Sequence, residues 1–91
     1  MKEIEIIVTG RVQFVMFRDF ATRKARRLGL KGFVQNRNDW SVYLRAQGDE
    51  LLLKNYIEKL HMGSFLSRVD QVEVVWKEPQ GDLKRFYIKY D

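Results

Sequence analysis

The sequence predicts an α+β fold: an antiparallel sheet of four or five strands carrying two helices on one of its faces. Three observations carry this. Periodic segments occur in the order strand, helix, strand, strand, helix, strand. Both helical segments have a single apolar stripe, so each must lie on something. The 91 residues, 45% hydrophobic and 32% charged, suffice for one core and not for two.

Residues 3–9, Glu-Ile-Glu-Ile-Ile-Val-Thr, alternate and then become β-branched, the pattern of a well-buried strand. Gly10 punctuates it. From Phe17 the period changes. Phe17, Phe20, Ala21, Ala25 and Leu28 fall on one helical face, and Gly29 is placed to cap a helix over 17–28. Residues 31–35 start a second strand, and Asn36-Arg37-Asn38-Asp39 is a turn cluster. Residues 40–46 alternate, with Trp40, Val42, Leu44 and Ala46 on one face, so the two strands form a hairpin. Asp49 is positioned as the N-cap of a second helix. Leu53, Tyr56, Ile57 and Leu60 mark its buried face, and Gly63 ends it. Residues 69–77 are another strand, with Val72, Val74 and Trp76 on one face, stopped by Pro79. Phe86-Tyr87-Ile88 forms a short terminal strand. This order is the split βαβ, ferredoxin-like βαββαβ sandwich.

Composition narrows the chemistry. Without cysteine there are no disulfides and no thiol chemistry, and with His61 as the single histidine no transition-metal site is expected. The net charge of +5 and a pI of about 9.7 admit nucleic acid and small anionic substrates alike. Much of the excess, Arg23, Lys24, Arg26 and Arg27, lies along one helix and reads as a solvated face. No apolar run approaches the roughly 20 residues of a membrane helix. The acidic residues and short apolar run of Met-Lys-Glu-Ile-Glu-Ile-Ile-Val argue against a signal peptide, which makes the cytoplasm the simplest location.

The stretch Gly10-Arg11-Val12-Gln13-Phe14-Val15-Met16-Phe17-Arg18 joins the first strand to the first helix. Such a loop points N–H groups outward at the positive end of a helix, where anions bind. Arg18 falls in the first turn, and its guanidinium can grip two phosphate oxygens at once. A helical crossover makes the first and second strands parallel, so their C-terminal ends share one edge of the sheet. The loop and Asn36 therefore converge. On these residues alone two readings stand: a phosphate site with an amide that aims a water, or an ordinary connection beside an ordinary turn asparagine.

Two long motifs resemble the acylphosphatases, and the resemblance covers nearly the whole chain. Gly-Arg-Val-Gln followed by Phe17-Arg18 is similar to that family's phosphate loop. Leu28-Gly29-Leu30-Lys31-Gly32-Phe33-Val34-Gln35-Asn36 is similar to its second signature. Asp39 with Ser41-Val42, Gln47-Gly48, and Gly63 with Ser67-Arg68-Val69 fall where further family features do. The resemblance implies a single domain over residues 1–91 that hydrolyses acyl phosphates to a carboxylate and inorganic phosphate, with no metal and no cofactor. By the same resemblance, Arg18 binds the phosphate, Asn36 orients the attacking water, and the backbone of Phe14, Val15, Met16, Phe17 and Arg18 cradles the phosphate oxygens. The implied partners are a small acyl phosphate and phosphate, with no nucleic acid and no membrane, in a monomer.

The chain departs from the family where it has Phe14, Met16 and Trp40 in place of glycine. Glycine permits positive φ and close backbone approach, so the first two changes are expected to lower activity if that φ is required. They also supply the alternative reading, a catalytically impaired domain that binds an anion or a partner through exposed apolar residues. An RNA-binding sheet of the RRM type shares the topology, but Lys31-Gly32-Phe33-Val34 lies on the wrong strand for its aromatic signature.

Overall fold

The computed structural model describes residues 1–90. Seven elements follow one another: β1 (Lys2–Arg11), α1 (Phe17–Arg27), β2 (Lys31–Asn36), β3 (Val42–Gly48), α2 (Glu50–Met62), β4 (Arg68–Lys77) and β5 (Phe86–Ile88). The strands form one sheet in the order β4-β1-β3-β2-β5. Ile4, Ile6 and Val8 of β1 and Val42, Leu44 and Ala46 of β3 share a face and are fully buried. Phe17, Phe20, Ala21 and Ala25 of α1 and Leu53, Tyr56 and Leu60 of α2 pack into the same core, so both helices cover one face, as expected. Leu28 and Ile57 lie at the edge of that core, half-buried. The Tyr56 hydroxyl ties the helices together by donating to the Ala21 carbonyl at 2.9 Å.

The sheet is mixed, a correction to the antiparallel expectation. β1–β3, β1–β4 and β2–β3 are antiparallel, but β2–β5 is parallel. The crossing that follows β4 explains this. Glu3, on the helix-free face, is buried with its carboxylate bonded to Arg45 (2.8 Å), Gln47 (2.7 Å) and the Gln80 N–H (2.9 Å). Arg45 and Gln47 also donate to the Gln80 carbonyl. The chain after β4 is thus strapped across β1 and β3 near the N-terminal end of β1. It reaches the far edge where β2 begins, pairs Phe86 with Gly32, and can only run alongside β2 in the same direction.

Trp40 is a second correction. It precedes β3 in the turn, with φ +72°, and is 65% exposed rather than aligned with Val42. Asp39 accounts for this by accepting from both the Ser41 N–H and the Ser41 hydroxyl, which closes the turn across Trp40. Trp76, expected beside Val72 and Val74, is 41% exposed on the edge strand β4. Asp49 stands at the N-cap of α2 but makes no side-chain cap bond. Gly29 (φ +71°) caps α1 as expected. Leu30 N–H reaches the Ala25 carbonyl and Gly29 N–H the Arg26 carbonyl, the paired bonds of a Schellman motif. β1 does not stop at Gly10. It runs on to Arg11 through a bulge between Thr9 and Gly10, where Gly10 has φ +125°.

Candidate functional site

Residues 12–16 lead from the end of β1 into α1. Phe14 (φ +61°) and Met16 (φ +63°) are both left-handed, while Val15 between them is not. Alternation of hand along a chain turns successive N–H groups toward one side and makes an anion-binding concavity, here at the positive end of a helix. Met16 occupies the N-cap of α1 and has no side-chain oxygen with which to cap it. Among the described residues, the N–H groups of Phe14, Val15, Met16, Phe17 and Arg18 meet no protein acceptor. The condition set by the missing glycines is therefore met: both positions hold left-handed backbone and carry bulky side chains.

Arg18 lines a cavity of about 390 Å³ together with Val12, Phe14, Met16, Ile88 and Tyr90. Its guanidinium lies over the Tyr90 ring, 5.1 Å from the centroid. Among the described residues no carboxylate pairs with it, since neighbouring Asp19 is held by Arg23 at 3.0 Å. The cation is held over the ring, and no carboxylate of the described residues offsets its charge.

Asn36 pairs with Val42, and Val42 with Val8. Residues directly opposite share a face, so Asn36 points to the helix-bearing side, level with Val8 and about 10 Å across two strand spacings. Its half-buried side chain presents Oδ1 with no hydrogen-bond partner. A buried acceptor left unpaired is costly, and a bound water relieves it. Arg18 and Asn36 thus share one end and one face of the sheet. They line separate depressions, Asn36 lying in a groove with Gln35, Arg37, Asn38 and Asp39. Asp39 in that groove is held below the usual carboxylate range by the Ser41 hydroxyl and N–H, which keeps the turn anchored by an ionised side chain.

Three residues that the sequence left without a role hold these parts together. The Gln13 amide donates to the Arg37 carbonyl at 2.8 Å and the Ser41 carbonyl at 2.9 Å, tying the loop to the turn after Asn36. The Ser64 hydroxyl donates to the Val15 carbonyl at 3.3 Å and braces the loop from the other side. Tyr90 stacks on Arg18. Gln13 lay within the recognised motif, but its partners are 24 and 28 residues away, beyond any periodic signal. Among the described residues no group of three histidine, cysteine, aspartate or glutamate side chains gathers to hold a metal. No helix is long and apolar enough to cross a membrane.

Comparison with known proteins matches nearly the whole chain to one family. The acylphosphatase family model matches residues 4–88. An acylphosphatase of Anaeromyxobacter dehalogenans is 42% identical over 85 residues, 93% of this chain and 91% of that one. One from Salinibacter ruber is 40% identical over 88 residues, 97% of this chain and 93% of that one. The crystal structure of acylphosphatase from Bacillus subtilis superposes with a TM-score of 0.96 at 38% identity, covering 99% of this chain and all of that one. A ferredoxin-like sheet, matched nearly end to end by these relatives and by the family model, places the chain in the acylphosphatase family of hydrolases.

Proposed function

We propose that the chain hydrolyses acyl phosphates to a carboxylate and inorganic phosphate, with Arg18 binding the phosphate and Asn36 orienting the attacking water. The observation that carries this reading is the loop over residues 14–18, left-handed at two positions, whose N–H groups meet no acceptor among the described residues and which lies beside an arginine that no described carboxylate pairs. In the bound state those N–H groups donate to phosphate oxygens and the guanidinium grips two of them. Asn36 Oδ1 accepts from a water and aims its lone pair at phosphorus. The water oxygen bonds to phosphorus, its proton passes to solvent or to a phosphate oxygen, and the acyl carboxylate leaves with the electron pair of the broken P–O bond. Charge on the transferring group meets donors already fixed in place, so positioning and electrostatic stabilisation do the catalysis. A carboxylate leaves readily as a stable anion, so neither a general acid nor a metal is required, and His61 in the last turn of α2 has no role.

The substrate and product, a small acyl phosphate and phosphate, are then the partners of a cytoplasmic monomer. The alternative, an impaired domain that binds anions without turnover, draws on the strain at Phe14 and Met16. Their backbones already hold the cradle's hand, which favours turnover reduced by a penalty of about 1–2 kcal/mol per left-handed residue.

Acetyl phosphate hydrolysis in the presence of a chelator, with inhibition by phosphate, tests the reading. Arg18→Ala is expected to lose phosphate inhibition and at least about 2–3 kcal/mol of transition-state stabilisation, while thermal unfolding stays near the parent's. Phosphate inhibition retained unchanged in Arg18→Ala overturns the assignment.

A further inference from the structure

We propose that Phe14 and Trp40 form the seat of the acyl group and make the enzyme selective for aromatic over small aliphatic acyl phosphates. This rests on the hydrolytic reading above and names its substrate class. Two of the positions where this chain has bulky residues in place of family glycines meet in space: the rings of Phe14 and Trp40 lie 6.0 Å apart, inclined at 59°. They come from different segments, the anion loop and the β2–β3 turn, so the contact joins the two halves of the site.

The pair is left largely uncovered, with Phe14 83% and Trp40 65% exposed. Two rings that met only to fasten the loop to the turn would bury each other, and that fastening is already supplied by Gln13. Their free faces are available to a third ring, for which tilted and offset contacts are favourable. The acyl group is joined to phosphorus through one oxygen. With phosphate seated on the N–H groups of residues 14–18, the acyl group must leave the cradle along its wall. Phe14 belongs to that wall, in which Val12, Met16, Phe17, Ile88 and Tyr90 are also apolar or aromatic and Arg18 and Asp19 are charged, with Asp19 paired to Arg23. A few polar groups fixing an anion within an otherwise apolar lining is the usual make-up of a small-molecule site.

The test compares benzoyl phosphate with acetyl phosphate. The readout is the ratio of their kcat/KM values, in which any change to the shared phosphate cradle cancels. The double variant Phe14→Asn with Trp40→Gly keeps residues that accept left-handed backbone while removing both rings. The benzoyl preference is expected to fall about tenfold in the double variant and about threefold in Trp40→Gly alone, a change in an exposed turn that folding tolerates. An unchanged ratio in both variants overturns the proposal. Affinities for benzoylphosphonate and acetylphosphonate, which cannot be hydrolysed, separate the two claims. A parent that binds both phosphonates but hydrolyses neither acyl phosphate overturns the hydrolytic reading alone. The phosphonate ratio then decides the subsite: a tenfold fall in the double variant supports it, and no fall overturns it.

Discussion

At the scale of single residues, the site depends on backbone hand and on one unpaired amide. Met16 sits at φ +63°, ψ +23° directly before the first turn of α1. Glycine relieves its strain in the folded state but adds entropy to the unfolded chain, so the net gain is small. Met16→Gly is expected to raise stability by at most about 1 kcal/mol and to tighten phosphate binding. Met16→Val puts a β-branched side chain where left-handed φ is least tolerated, and is expected to destabilise by about 1–2 kcal/mol and weaken phosphate binding. Thermal unfolding with and without phosphate reads both, and equal binding by the two variants would show that the cradle's hand is unimportant. On the proposed mechanism, Asn36→Ala removes the acceptor for water and not the anchor for phosphate. It is expected to lower kcat about a hundredfold while the inhibition constant for phosphate stays within about threefold. Near-normal turnover in that variant would return Asn36 to the role of a turn residue.

At the scale of elements, the bulge in β1 sets where the loop begins. A Cβ added to Gly10 would stand 2.2 Å from the Arg68 carbonyl oxygen and 2.8 Å from the Asp70 nitrogen, both backbone atoms of the paired strand. Neither can move without parting β1 from β4. Gly10→Ala is therefore expected to destabilise by more than about 3 kcal/mol and to lower kcat/KM through the displaced loop, with chemical denaturation and kinetics as the measurements. The tether from the loop to the β2–β3 turn behaves differently. Gln13→Ala removes two hydrogen bonds at the part-exposed periphery, each worth about 1 kcal/mol, so activity should fall more than stability. A variant that loses stability and keeps full kcat would count against the tether.

At the scale of the whole molecule, the helix-free face closes over a buried carboxylate. Burial pushes the Glu3 carboxyl up, but hydrogen bonds from Arg45, Gln47 and the Gln80 N–H, with the charge of Arg45, outweigh it and bring the pKa below its ordinary value of 4.5. A carboxyl with a lowered folded-state pKa contributes stability that is complete above pH 4.5 and is lost as pH falls through the lower, folded value. The acid limb of the stability profile should therefore flatten in Glu3→Gln, which also leaves Arg45 without its ion pair and should destabilise at pH 7 by on the order of 2–3 kcal/mol. Tyr43 acts at the other end of the scale. Burial and its bond to Glu5 at 2.7 Å push its pKa from 10.0 to about 12. Its contribution is complete below pH 10 and is lost as pH rises toward 12, so Tyr43→Phe should shorten the alkaline fall. Denaturation midpoints across pH read both limbs.

The residues by themselves determined the order of elements, the apolar face of each helix, the hairpin, and the placing of the Arg18 loop and Asn36 at one end of the sheet. Each is a local pattern: a period of 2 or 3.6, a turn cluster, or a parallel crossover that leaves no topological choice. The tertiary structure alone decided the rest. That β5 runs parallel to β2 follows from the strap held at Gln80 by Glu3, a contact 77 residues apart in sequence. That Phe14, Met16 and Trp40 accept left-handed backbone depends on bonds that Gln13 and Ser64 donate and Asp39 accepts, none of which has a periodic signature. Alternating Trp40 with Val42 and Leu44 suggested a strand face, but pattern registers only which residues are apolar. Whether an apolar residue is buried depends on where its turn closes, and Asp39 and Ser41 closed this one ahead of the strand.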